Sequence, residues 1–406
     1  MNIGWKKKSD RQSGRKEKES GEIESGEKES GEIESESEKD EYMMIGEGSY
    51  GCVHNPPLEC ESRTKKSKKS NKNKLSKIIL TRKARVELKE YTLIDKADGK
   101  YKYHLQKPAE CKVRKTAKNM RAISKCPNIM SNFSDINDYS LLIMNDGGLD
   151  IEKFVDLVRT WPNTNLYREK MHDFWREFER MVKAVEHLVK NGIVHHDIKI
   201  LNIVYNIDKE RTNLIDFGLA DKIANKIRDS KKSKNWLGNR FHWSYPFETV
   251  LWNRNDYMDF VNMSLDDKKR RFHQIISEIT GTERTNIHQE FRTFFSDVLP
   301  TDDETSDLYK KMTHRYFMDD YSFLCEKINA DNYADFLRKS IETIDLFGLG
   351  MVMAYVLKRT RQFVPANFEK EMIEFIYELL TPDVFARLDA HSAAVKYHDI
   401  IIRWLN

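Results

Sequence analysis

The sequence has no run of eighteen apolar residues. Its best apolar run, Ile344 to Leu357, is about fourteen residues long and carries Asp345, so no membrane span is expected. No apolar stretch follows the basic start Met1-Asn2-Ile3-Gly4-Trp5-Lys6-Lys7-Lys8, so no secretory leader is expected. Neither charge sign dominates. The 69 basic and 65 acidic residues leave +4, which confines any nucleic-acid signal to a local basic patch. Cysteine is scarce and no C-x-x-C pair occurs: Cys52, Cys60, Cys111, Cys126 and Cys325 are an odd, scattered set. That set predicts free thiols in a reducing compartment. Cys60, Cys111 and Cys126 could meet a zinc ion only through the fold, and buried thiols are the simpler expectation.

What is present suffices for a core. Hydrophobic residues make up 39% of the 406 and aromatics 11%, which argues against global disorder. The length predicts two or three units, or one large domain with additions.

Residues 1–41 read as a disordered low-complexity tail. Glu19-Ser20-Gly21-Glu22-Ile23 recurs as a five-residue unit, and eleven acidic against two basic residues lie between Glu19 and Glu41. A solvated tail is the plain reading, and an acidic docking arm or phosphorylation target the functional one. Residues 63–74 hold seven Lys/Arg without interleaved aromatics. They suit a solvated loop between strands better than a nuclear-localisation signal or a phosphate- or nucleic-acid-binding patch. From Leu166 to Asn191, Met171, Phe174, Phe178, Met181, Val182, Val185, Leu188 and Val189 recur at helical spacing, and Gly192 ends the pattern. Residues 249–344 are dense in charge and aromatics, with helical patches but no chemical motif.

Five signals follow one another in order. Ile45-Gly46-Glu47-Gly48-Ser49-Tyr50-Gly51-Cys52-Val53 is a glycine-rich hairpin signal whose backbone N–H groups suit phosphate oxygens; Pro56 and Pro57 come too soon for a helix. Leu75-Ser76-Lys77-Ile78-Ile79-Leu80 sets a lysine on a short apolar strand, before a helix from about Thr81 to Asp95. Glu87 and Glu90 on that helix are both candidates to hold Lys77. His195-His196-Asp197-Ile198-Lys199-Ile200-Leu201-Asn202 supplies a carboxylate to accept a hydroxyl proton, a lysine to neutralise a phosphoryl group and an amide for a metal ion. Asp216 in Asp216-Phe217-Gly218 offers oxygens to Mg²⁺. Tyr245-Pro246-Phe247-Glu248 pairs at long range with Arg387.

Taken singly, these residues have ordinary structural readings: His195 as a core histidine, Lys77 on a solvated face, Phe217 and Ile94 as packing. Taken in order, they resemble the protein kinase superfamily over about 42–248 and 345–406. The resemblance implies an α+β, bilobal fold: an N-lobe at 42–144, a C-lobe at 145–248 and 345–406, and a helical insert at 249–344. It implies ATP held by Gly46, Gly48, Gly51, Val53, Lys77, Glu90, Met144 and Asp150, with Met144 as gatekeeper and Asp150 at the ribose. It implies Asp197 and Lys199 as catalytic residues, Asn202 and Asp216 as ligands of Mg²⁺ or Mn²⁺, and Glu248, Arg387 and Asp345 as structural residues, Asp345 opening the central C-lobe helix. Glu90 is preferred over Glu87 because Ile94 then falls four residues later, at an apolar spine position. Lysine two residues after Asp197 is the Ser/Thr form, so protein substrates are expected. A pseudokinase or scaffold working through the insert is the alternative. Aminoglycoside-type kinases share the H-x-D…N spacing but lack the later features.

Pro56-Pro57-Leu58-Glu59-Cys60 and Leu75-Ser76-Lys77 look like kinases of large cytoplasmic DNA viruses. The expected location is therefore cytoplasmic, in a host cell or virion for a viral chain, with the nucleus second. The sequence sets no oligomeric state. Four departures stand out: His196 for the usual arginine, Leu75 for a small residue, Phe247 within Pro246-Phe247-Glu248, and the 97-residue separation of Glu248 from Asp345.

Overall fold

A computed structural model describes residues 42–48, 51–61, 73–130, 135–232, 245–271 and 321–405. The acidic repeat, all of the basic run but its last two residues, Ser49, Tyr50, Ser233, Ser244 and residues 272–320 lie outside the described residues.

Strands β1 (Met43–Gly48), β2 (Gly51–Asn55), β3 (Lys74–Leu80), β4 (Ala109–Lys112) and β5 (Tyr139–Asn145) form an antiparallel sheet in the order β1-β2-β3-β5-β4. Its register separates two faces. Cys52, Ile78, Leu141 and Cys111 are cross-strand neighbours, as are His54, Ser76, Ile143 and Ala109. Most of this face is buried beneath Leu58, Val113, Ile129 and helices α2 (Ala117–Ser124) and α3 (Pro127–Met130). The opposite face presents Val53, Leu75, Lys77 and Met144, all half-buried, as the period of two requires.

The covered face overturns the free-thiol expectation. Cys52 is bonded to Cys126 and Cys60 to Cys111. Only Cys325 is a free thiol, and it is buried. Cys52 and Cys111 alternate with cleft-facing residues, which turns them under α2 and α3, where each meets a partner. The three thiols considered for zinc are thus all committed to sulfur.

Helix α1 (Thr81–Ala97) continues directly from β3 and buries Ala84, Glu87, Tyr91 and Ile94, a stripe at 3–4 spacing. After β5 come β6 (Leu149–Asp150), α4 (Ile151–Val158) and the long α5 (Asn165–Lys190), which buries the predicted apolar stripe except for the half-buried Val189. Gly192 follows at φ +68°, the left-handed conformation that ends the helix. Strands β7 (Ile193–Val194), β8 (Ile203–Asn206), β9 (Arg211–Leu214) and β10 (Asp221–Lys222) frame the segments carrying Asp197 and Asp216. Helix α6 (Ile223–Ser230) comes next.

The remaining α-helices among the described residues are α7 (Arg254–Val261), α8 (Tyr321–Lys327), α9 (Tyr333–Thr360), α10 (Ala366–Leu380) and α11 (Ala390–Leu405). Helix α9 is long and apolar enough to cross a membrane, but 89% of its most apolar window is buried inside the protein, as in a core helix. It also corrects the expectation that Asp345 opens the helix. Asp345 lies twelve residues into it, because Tyr333, Phe336, Leu337, Ile341 and Ile344 continue the buried stripe upstream. The flanks of the expected 249–344 insert belong to the same core: Trp252, Tyr257 and Phe260 are buried with Tyr333 and Phe336, and the Tyr333 hydroxyl donates to the Trp252 carbonyl at 2.8 Å.

Candidate active site

The two strands of the glycine-rich segment pair antiparallel, with Gly46 opposite Val53 and Gly48 opposite Gly51. Gly51 has a further reason to be glycine. A Cβ there would lie 1.9 Å from the Ile78 carbonyl oxygen, so no side chain fits without moving β3. Across the cleft face, Val53 neighbours Lys77, and Leu75 neighbours Met144. The larger leucine thus sits beside the gatekeeper position.

Lys77 pairs with Glu87, Nζ to Oε2 at 2.8 Å, and not with Glu90. The cause is helical phase. Glu87 shares the buried stripe with Ala84, Tyr91 and Ile94, whereas Glu90 is turned about 60° away by the helix repeat. Tyr91, four residues after Glu87, then takes the spine place expected for Ile94, and its ring meets Phe217 edge-on at 5.1 Å. The period-3.6 pattern of α1 was the signal that could have chosen Glu87. Burial works against the Lys77 ammonium, but Glu87, Asp216 and Glu90 outweigh it and hold its pKa above the ordinary value. Among the described residues the buried Glu90 Oε2 has no hydrogen-bond partner. Burial, then the charges of Glu87 and Asp216, push its pKa up to about 7.

Asp150 was expected at the ribose. Here its Oδ1 caps α4 by accepting from the Lys153 backbone at 2.8 Å, and its Oδ2 accepts from Lys153 Nζ at 2.8 Å. Lys153 Nζ also donates to the Ile45 carbonyl of β1 at 3.0 Å. Both Asp150 oxygens are therefore engaged, and Lys153, which the motif reading missed, ties α4 to the glycine-rich strand.

The Asp197 carboxylate is fixed from two sides. Lys199 Nζ donates to its oxygens at 3.0 and 2.9 Å, and Asn202 Nδ2 donates to Oδ2 and to the Asp197 carbonyl, each at 2.8 Å. The backbone around it is tied to α9. The N–H groups of His195 and His196 donate to the two Asp345 oxygens at 2.6 and 2.7 Å. Gly348 lets α9 approach closely, since a Cβ there would meet the Ile198 carbonyl at 2.5 Å. His196, at φ +64°, stacks on Tyr245 and Trp252, while the Tyr245 hydroxyl donates to its carbonyl at 2.6 Å. His196 thus works as packing here.

Asp216 also sits in the left-handed region, at φ +61°, and the Ile215 N–H before it donates to the Asn202 carbonyl at 3.0 Å. Among the described residues its exposed carboxylate has no hydrogen-bond or ion-pair partner. Asn202 uses its amide hydrogens on Asp197, leaving Oδ1 available. An uncommitted carboxylate and an uncommitted amide oxygen, on segments joined by that backbone hydrogen bond, suit a hard divalent cation such as Mg²⁺. At the far end of the lobe, Arg387 Nη1 meets Glu248 Oε1 at 2.7 Å with both side chains fully buried.

The protein kinase domain family matches residues 40–241. A probable cell division control protein 7 homolog of Encephalitozoon cuniculi is 46% identical over 48 residues, 12% of this chain and 14% of the relative. A probable casein kinase I homolog of the same organism is 41% identical over 64 residues, 15% of this chain and 21% of the relative. A probable serine/threonine-protein kinase of Dictyostelium discoideum is 28% identical over 115 residues, 27% of this chain and 17% of the relative. The matches thus span about a fifth or less of the relatives' lengths. The β-rich N-lobe, the helical C-lobe and the cleft between them define a protein kinase fold. The chain belongs to the eukaryotic-type protein kinase superfamily.

Proposed function

We propose that this protein transfers the γ-phosphoryl group of MgATP to serine or threonine hydroxyls of protein substrates. The observation that carries the reading is the Asp197 carboxylate, held by Lys199 and Asn202 within a backbone pinned by Asp345. Fixing it in place removes the entropy of orienting a base toward an acceptor hydroxyl. Lys199, already within reach of Asp197, adds positive charge where the transferring group would gain negative charge. Lys77, kept protonated by Glu87, offers its ammonium to nucleotide phosphates. Asp216 and Asn202 would hold Mg²⁺, which neutralises phosphate charge when bound. The lysine two residues after Asp197 and the names of the partial relatives support the Ser/Thr assignment.

The test is transfer of radiolabel from ATP to a generic Ser/Thr protein substrate. Asp197→Asn should abolish transfer while ATP binding persists. Asp216→Asn should lose Mg²⁺-dependent nucleotide affinity. Near-normal turnover in Asp197→Asn would remove the reading.

The pseudokinase alternative has one observation in its favour, Leu75 beside Met144 on the cleft face. Leu75→Ala separates the two readings: an active kinase shows transfer before the change, a crowded pseudokinase only after it.

A further inference from the structure

A second cavity lies on the described part of the molecule, apart from Asp197 and Asp216. It measures about 410 Å³ and draws its walls from the start of β3, the end of β5 and the following hinge, the segment after α1, and the β8–β9 hairpin. That size suits a small-molecule ligand.

Its charge is one-sided. Lys74, Lys209 and Arg211 line it, against a single carboxylate, Asp146, whose Oδ1 already accepts from the Gly148 N–H at 2.9 Å. Among the described residues none of the three cations is in an ion pair. Lys74 Nζ donates only to the neutral Asn145 amide, and Arg211 Nη2 only to the Tyr101 carbonyl at 3.2 Å. Among the described residues the Lys209 ammonium has no hydrogen-bond partner; its backbone N–H donates to Asn206 Oδ1 at 3.0 Å. Elsewhere the surface is laced with pairs such as Arg403–Glu371 and Lys396–Glu378.

Behind the wall stands a further guanidinium. Arg180 Nη2 donates to Asn213, a lining residue, at 3.3 Å, and Arg180 Nε is buried without a partner. Burial lowers the Arg180 pKa, and the like charge of Arg211 lowers it further. Asp98 accepts from the N–H groups of Lys102 and Tyr103 and contacts the His104 ring, and Glu177 accepts from Thr212 and pairs with Arg180 at 3.2 Å, so Arg180 is compensated locally and the unpaired charge at the cavity is that of Lys74, Lys209 and Arg211. Excess positive charge around a cavity is a cost to the empty protein and an attraction to an anion.

We propose that this cavity behind the hinge is a binding site for a small polyphosphate-type anion, held by Lys74, Lys209 and Arg211. Arg211 offers the planar donor fork that suits phosphate oxygens, and the two lysines offer point charges. The amide side chains of Asn145, Asn206 and Asn213 supply neutral donors around them. A bound anion would touch β3, the hinge and the β8–β9 hairpin together, bracing both lobes.

The experiment is calorimetric titration of the full chain with sodium tripolyphosphate at fixed ionic strength, with and without saturating ADP. ADP keeps the nucleotide cleft occupied, and the ADP-free arm keeps the result separate from the kinase reading. The expected result is one bound tripolyphosphate that persists with ADP. Lys209→Ala/Arg211→Ala should weaken it at least tenfold, and Lys209→Arg/Arg211→Lys should retain it within threefold. Both pairs are exposed hairpin positions, so folding is not at stake. Hydrogen exchange should slow at residues 145–147 and 209–213 on binding. Equal affinity in the double-alanine variant overturns the site. So does tight binding of a poly-glutamate peptide with no response to tripolyphosphate, which would mark an acidic-protein surface instead.

Discussion

The two lobes each carry an ion pair of almost the same length, one at the edge of the cleft and one wholly enclosed. Lys77–Glu87 spans 2.8 Å in the small lobe with its side chains 17% and 11% exposed; Glu248–Arg387 spans 2.7 Å in the large lobe with both at 0%. The buried pair is one knot in a network. Ser340 donates to Glu248, Trp252 donates to Ser340, and Arg387 also donates to the Thr381 carbonyl and to Thr343. Such a pair cannot open without stranding a charge in a dry core. The cleft pair can open toward water, and Asp216 lies near enough to act on both partners. Equal distances thus serve different ends: one pair holds a shape, the other holds a reactive ammonium in place.

The lobes differ in the same way as bodies. The C-lobe closes over α5 and α9 with dozens of buried side chains, while the outer face of the N-lobe sheet has a thin cluster fastened by two disulfides. A small core with covalent staples is the usual remedy where apolar burial alone is insufficient.

The strongest test strikes the buried pair. Arg387→Ala should cost about 3–5 kcal/mol of unfolding free energy, read by urea denaturation, because Glu248 is left charged and buried. Glu248→Gln with Arg387→Met should recover much of that loss. A cost for Arg387→Ala below about 1 kcal/mol would erase the contrast between the two pairs. The next effect belongs to the N-lobe staples. Cys52→Ser/Cys126→Ser should cost about 2–4 kcal/mol. A thiol reductant should lower the melting temperature of the wild type and leave a variant lacking both disulfides unmoved. If reductant changes nothing in the wild type, the thin core is sufficient by itself.

The cleft pair should invert these proportions. Lys77→Ala should cost about 1–3 kcal/mol of stability, less than Arg387→Ala, because Glu87 is left buried without its partner but can take up a proton. Its transfer rate should fall at least about 100-fold, or roughly 2.7 kcal/mol of barrier. Glu87→Gln should reproduce most of the rate loss and Glu90→Gln should not. A stability loss in Lys77→Ala as large as that of Arg387→Ala would show the cleft pair to be structural after all.

Much of this site was legible because its chemistry is local in sequence. Asp197, Lys199 and Asn202 lie within one turn-rich segment, so spacing alone brought them together. Gly46, Gly48 and Gly51 were legible for the same reason. The expectations that fail are those that a motif's spacing does not set: the phase of a helix, the start of a helix, and the pairing of distant cysteines. The family-like interval to Ile94 favours Glu90, whereas the buried stripe of α1 selects Glu87. The cysteines were read as unpaired because their separations of 74 and 51 residues carry no spacing signal, and only the sheet register places them under α2 and α3. Asp345 was set at a helix start because its motif begins there, although the apolar period already runs back to Tyr333.

Glu90 supplies the finest test, because it stands between the two kinds of charge. It is half-buried, with one oxygen unpartnered, beside Glu87, Asp216 and Asp221, and with Lys226 as the opposing charge. Its pKa of about 7 lies above the ordinary 4.5. Between those two values the folded chain keeps a proton that the unfolded chain has released. Stability from this group therefore falls as pH rises through the window, and the whole penalty is present above pH 7. Solvent around the half-buried carboxylate screens that penalty to about 1 kcal/mol. Glu90→Gln removes the titration. It should stabilise the protein by about 1 kcal/mol at pH 8 and leave it unchanged at pH 4, where both forms are neutral. Denaturant midpoints of the two proteins at both pH values measure this directly. The same offset at pH 4 and pH 8 would mean that Glu90 is solvated like any surface carboxylate. A gain confined to high pH, with the transfer rate within threefold of wild type, would place Glu90 outside the chemistry that Glu87 serves.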